Sequence, residues 1–72
     1  MAFNYNKLRG RIIEKFGTQR SFAKKLGISE RTISLKLNNK IFFSQDEITS
    51  ISELLKIESN EIQVYFFEKE VQ

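Results

Sequence analysis

The chain lacks cysteine, histidine and proline, and it has only three glycines in 72 residues. Without cysteine or histidine, disulfides, thiolate or imidazole metal ligation and the usual Cys/His and Ser/His catalytic pairs are excluded. The missing proline, with no stretch rich in serine or glycine, leaves no linker and no low-complexity segment. No apolar run approaches the length of a membrane span, and the N-terminus lacks a secretory h-region. A cytoplasmic protein with no membrane contact is the simple reading. An enzyme is rejected as well: the carboxylates are scattered, Gly10, Gly17 and Gly27 make no phosphate loop, and no nucleophile–base pair exists. Neither a cofactor nor a metal is expected.

What is present fits one domain, residues 1–72, with a core of marginal size that must rely on efficient helix packing, association or both. The net charge of +3 hides an asymmetry. Residues 1–40 carry ten Lys and Arg against Glu14 and Glu30, a balance of +8. Residues 41–72 carry Lys56 and Lys69 against seven acids, a balance of −5. A basic half that meets phosphates and an acidic half that faces away would give this distribution, and so would two ordinary solvated faces.

Apolar spacing predicts five short helices in an all-α domain. Asn4 is expected as the first N-cap, with Phe3 stapled against Leu8; Leu8, Ile12 and Phe16 form the stripe, with Tyr5 and Ile13 flanking it. Gly17 ends this helix. Thr18 caps a second helix, which runs to about Leu26 and stops at Gly27, where a left-handed turn is cheapest without a Cβ. Ala23 sits where this helix must pass close to the third, which Ser29 caps and which runs to about Asn38. Phe22, Leu26, Ile28 and Ile33 supply the apolar contacts of the crossing. Ser44-Gln-Asp-Glu47 is a capping box, and Phe43 and Ile48 occupy the staple positions. The fourth helix buries Ile48, Ile51, Leu54 and Leu55. The pattern breaks at Lys56–Ser59, and a last helix from Ser59 or Asn60 carries Ile62, Tyr65 and Phe66.

The run Phe22-Ala23-x-x-Leu26-Gly27-Ile28-Ser29-x-x-Thr32-Ile33-Ser34, followed by Lys36-Leu37-Asn38-Asn39-Lys40, resembles the phage Cro and repressor (XRE-like) type of helix-turn-helix. Ser44–Ile48 and Ile57-x-x-x-Glu61-Ile62 extend the likeness over nearly the whole chain. It is greatest to small Cro-position proteins of Gram-positive phages, some of which are modulators that bind the phage's main repressor. The resemblance implies a lambda-repressor-like, five-helix bundle with its helix-turn-helix at 18–38, acting in the lysis–lysogeny switch of a phage or prophage.

On that resemblance, Gln19 matches a position that holds phosphate, helped by the free N–H groups and dipole of its helix; otherwise it is a solvated first-turn glutamine. Lys36 departs from the family pattern, where this position is commonly apolar. With Ile33 and Leu37 inward, Arg31, Leu35 and Asn38 point outward, with Thr32 and Ser34 at the margins. Arg31 suits a bidentate contact to guanine, and Ser29, Thr32, Ser34 and Asn38 suit base edges or phosphates. Glu30 either accepts from cytosine N4 or merely complements its helix dipole. Lys36, Asn39 and Lys40 are expected on the phosphate backbone.

Leu35 divides the hypotheses. It can touch a thymine methyl, dock in an apolar groove of another protein, or belong to the core. Phe42 is similar, because Phe43 already fills the staple. Val64 and Phe67 lie opposite the Ile62–Tyr65–Phe66 stripe, which suggests a homodimer through the C-terminal aromatic segment. Residues 67–72 otherwise pair as a strand or fray, with 68–72 as a flexible tail. The expected partner is double-stranded operator DNA; the alternative is an antirepressor that captures the cognate phage repressor through the same surface.

Overall fold

Four residues separate Leu8 from Ile12 and Ile12 from Phe16, and this stripe becomes the inward side of the first helix, α1 (Asn6–Phe16). The computed structural model describes residues 2–70. Among them follow α2 (Gln19–Leu26), α3 (Glu30–Leu37), α4 (Gln45–Leu55) and α5 (Ile62–Phe66), the last preceded by a 3₁₀ turn at Ser59–Glu61. The fold is an all-α bundle of five short helices, as the apolar spacing predicts. No helix among the described residues is long and apolar enough to cross a membrane.

The local start signals hold. Thr18 Oγ1 accepts the Ser21 N–H at 3.0 Å, and Ser29 Oγ accepts that of Thr32 at 3.1 Å. Ser44 and Glu47 complete both arms of the capping box, at 2.8 and 3.1 Å. Gly27 ends α2 at φ +91°, in the left-handed region. The first helix differs from expectation by one residue. Tyr5, not Asn4, occupies the N-cap position, because its ring is drawn into the core. Asn4 still contributes: its Oδ1 accepts the Asn6 N–H at 2.9 Å.

Phe22, Ala23, Ile33, Leu37, Ile51, Leu55 and Phe66 meet Leu8 and Ile12 in one core. Ala23 is buried, its methyl small enough for α2 and α3 to cross closely. Ile13, expected on the flank of the buried stripe, is instead half exposed; one residue past Ile12 turns it about 100° away. Ile57 goes the other way. Lys56 ends α4 in a left-handed conformation at φ 58°, and the reversal swings Ile57 back into the core.

Two arginines of α1 close other helices. Arg9 Nη2 donates to the Leu37 carbonyl at the end of α3, and Arg11 Nε to the Leu55 carbonyl at the end of α4, both at 2.9 Å. Carbonyls left free at a helix C-terminus carry partial negative charge, so a guanidinium there satisfies them and suits the dipole. Residues 2–4 and 68–70 also meet. Asn4 donates its N–H to Glu68 at 2.6 Å and Glu70 to Ala2 at 3.1 Å, around an isolated antiparallel bridge between Phe3 and Lys69. Of the tail expected at 68–72, residues 71 and 72 lie outside the described residues.

Gly10 and Gly27 give opposite expectations for the same substitution. A Cβ at either would meet nothing within 4 Å. At Gly27 the left-handed backbone alone penalises it, so Gly27→Ala should lower unfolding free energy by about 1–2 kcal/mol. Gly10 lies inside α1 with helical geometry, so Gly10→Ala should raise it by about 0.5–1 kcal/mol. Urea unfolding of both variants, compared by midpoint at constant slope, checks the pair.

Candidate partner-binding surface

The third helix is fixed from within by Ile33 and Leu37, both buried, and from its start by the Ser29 cap. That phase leaves Glu30, Arg31 and Asn38 exposed, with Ser29 exposed before them and Lys40 exposed beyond. Thr32, Ser34 and Leu35 are half-buried on its margins, and so is Gln19 at the start of α2. Arg20 and Glu30 approach at 3.7 Å across the α2–α3 turn, an exposed pair of little energetic weight. Asn38 is partly engaged: its Oδ1 accepts from Arg9 Nη2 at 2.9 Å and its Nδ2 donates to Ser34 Oγ at 3.3 Å.

Two side chains expected on the phosphate backbone are instead engaged within the molecule. Lys36 is only 7% exposed. Its Nζ donates to the Phe42 carbonyl at 2.9 Å, pairs with Glu47 Oε1 at 2.9 Å and lies 5.8 Å from the centre of the Phe43 ring. The reason is phase: Lys36 neighbours Leu37 and lies three residues after Ile33, so it shares their inward side and needs an anion beside it, which the half-buried Glu47 supplies. Asn39 is the second correction. It adopts a left-handed φ of 63°, which asparagine tolerates, and its amide grips the backbone of Phe3 from both sides. Asn39 Oδ1 accepts the Phe3 N–H and Asn39 Nδ2 donates to the Phe3 carbonyl, each at 2.9 Å.

Beside α3 lies an aromatic surface. Phe42 is 77% exposed, and Ile41 and Phe67 are exposed to a lesser degree. Phe42 and Phe67 line a recess of about 40 Å³ whose other walls are Phe3, Tyr5, Phe43, Ile48 and Phe66. The rings beneath are in contact. Phe43 meets Tyr5 and Phe66 edge-on at 5.4 and 5.5 Å, and Phe3 meets Phe67 at 6.0 Å. A wider open groove of about 410 Å³ runs between residues 3–6 and Arg9 on one side and 37–39 on the other, with Glu70 at its margin. Its polar groups are already paired among themselves at Arg9, Asn38 and Asn39.

The candidate surface is thus an exposed phenylalanine beside a partly exposed helix, in a small all-α domain. The chain belongs to the DUF739 family, described as a protein of unknown function, which matches residues 1–69. It is similar over its whole length to the modulator of repression (MOR) of the temperate bacteriophage TP901-1 from Lactococcus lactis, known from a solution structure. The two are 44% identical with a TM-score of 0.83, covering 100% of this chain and 97% of that one. A comparison with curated proteins gave no match.

Glu47 holds the surface to the core electrostatically. Burial pushes its carboxyl up, but the Ser44 N–H, the hydrogen bond and charge of Lys36, and the Ser44 side chain together hold it below the usual carboxylate range. A depressed folded value means that the unfolded chain binds the proton more readily. The stabilisation is therefore complete above the ordinary glutamate pKa and is lost as pH falls through the lower, folded value. Glu47→Gln should flatten the acid side of the stability profile relative to the parent chain, measured by thermal melts across pH 3–6. An unchanged acid slope would contradict this.

Proposed function

We propose that this chain is a phage modulator of repression: a binding protein without catalysis that captures the cognate phage repressor and so biases the choice between lysis and lysogeny. The observation that carries the reading is the full-length similarity to the TP901-1 modulator at 44% identity. The exposed Phe42 ring supports it, since an apolar side chain held in water beside a packed aromatic recess suits a protein partner better than a phosphate backbone. The contacting residues on this reading are Leu35 and Phe42, with Gln19, Ser29, Glu30, Arg31, Thr32, Ser34, Asn38 and Lys40 around them. Cytoplasm of a bacterial host is the place where such a partner would be met.

A second reading keeps the Cro-like helix-turn-helix on operator DNA. It is favoured by the exposed cations Lys7, Lys15, Arg20, Lys24, Lys25, Arg31 and Lys40 of the first forty residues. It is weakened by Arg9, Arg11 and Lys36, which bond within the molecule. A homodimer through Phe67 would draw on the same recess as Phe42, so on the first reading repressor capture and self-association would compete.

Titration against the repressor of the same phage, and separately against switch-region DNA, separates these. Repressor capture is expected to give a tight complex, weakened tenfold or more by Phe42→Ala (about 1.4 kcal/mol or more) and little by Arg31→Ala. The chain alone should show no sequence-specific DNA affinity. A specific DNA complex whose affinity collapses between 50 and 200 mM salt, with no repressor binding, would overturn the proposal in favour of the second reading.

A further inference from the structure

The run from Ile41 to Phe43 joins α3 to α4, and among the described residues one hydrogen bond reaches its backbone: Lys36 Nζ to the Phe42 carbonyl. The same ammonium is bound by Glu47 Oε1, and that oxygen also accepts the Ser44 N–H at 2.8 Å. One buried cation therefore ties the end of α3, the exposed aromatic loop and the first turn of α4 at a single point. A buried ion pair adds little stability over a well-packed apolar side chain of the same volume, because desolvation offsets most of the attraction. What the ammonium supplies and a methionine would not is direction: it fixes where the Phe42 carbonyl stands, and with it where the ring projects.

We infer that Lys36 is a positioning residue for partner binding, acting through Phe42 without touching the partner. The inference rests on the repressor-capture reading. Holding the loop in one conformation before the encounter removes an ordering cost that would otherwise be met on binding. Lys36 then contributes to affinity through pre-organisation, and its contribution disappears when the Phe42 ring is absent.

A double-mutant cycle on the full chain tests this, with the repressor of the same phage as the probe and a thermal melt on every variant. Lys36→Met should remain folded at the assay temperature and bind at least tenfold more weakly. Phe42→Ala should bind weakly too, and the double variant no more than about twofold more weakly than Phe42→Ala alone. If Lys36→Met fails to fold, Glu47→Gln takes its place, removing the counter-charge while keeping an acceptor. A purely structural lysine would instead lower the melting temperature while leaving the affinity of folded protein within twofold, or would add its effect in full to that of Phe42→Ala. Either result overturns the inference and leaves repressor capture standing. No binding by the parent chain would overturn both.

Discussion

Short helices are mostly ends, and this molecule is governed by how its helix ends are closed. An α-helix leaves four N–H groups and four carbonyls without internal partners. In α2 and α3, eight residues each, those groups account for much of the backbone, and α5 has five residues. Unmet in a core, each would cost about 1–3 kcal/mol, enough together to unfold so small a domain. Thr18, Ser29 and Ser44 close the starts; Gly27, Arg9 and Arg11 close the finishes. The apolar core can then assemble around Phe22, Ile33 and Phe66 because the backbone around it is satisfied.

This explains which features the sequence discloses and which it does not. An N-cap acts over three residues, so Thr18 with Ser21, Ser29 with Thr32 and Ser44 with Glu47 are written locally, and all three stand where the pattern puts them. The left-handed turn at Gly27 is equally local. Arg9 reaches Leu37, Arg11 reaches Leu55, and Asn39 reaches Phe3, over separations of 28, 44 and 36 residues. Nothing within a helical turn of any of them signals such a use. Read locally they are surface cations and a turn asparagine. Lys36 is a nearer case, since its phase between Ile33 and Leu37 does mark it as inward. Its counter-charge, eleven residues on, belongs to a capping box that already accounts for Glu47. Ile57 was hidden because the reversal at Lys56 places a left-handed conformation on a lysine, where no residue type announces it.

The candidate surface is what helix closure leaves over. Three of the ten basic side chains in the first forty residues are turned inward to carbonyls or a carboxylate. The positive half is therefore less available to phosphates than its sequence count implies. The aromatics show the reverse. Five rings, Phe3, Tyr5, Phe43, Phe66 and Phe67, form a continuous set of contacts at the join of α3, α4 and the chain ends. Phe42 stands beside them with most of its surface in water. Phe43 serves the core and Phe42 does not, although the two are adjacent, because the Ser44 cap fixes the chain direction so that only the residue before it can fold down over α4.

Charge and ring have different physical roles on the proposed reading, and this bears on how the two candidate partners differ. Exposed lysines and arginines act over roughly a Debye length, about 8–10 Å in ordinary salt, and mainly raise the rate of encounter. A buried phenylalanine acts only on contact, where full burial is worth about 1.5–3 kcal/mol, and so it mainly lengthens the life of the complex. A DNA-reading surface needs the first and has little use for the second beyond a thymine methyl. A protein-capturing surface uses both, with cations at its margin and a ring at its centre. The chain exposes a phenylalanine ring on a loop anchored by a buried ammonium and surrounds the neighbouring helix with partly engaged polar side chains. On the proposed reading, that ordering of parts, a firm apolar contact first and charge second, suits the holding of another folded protein.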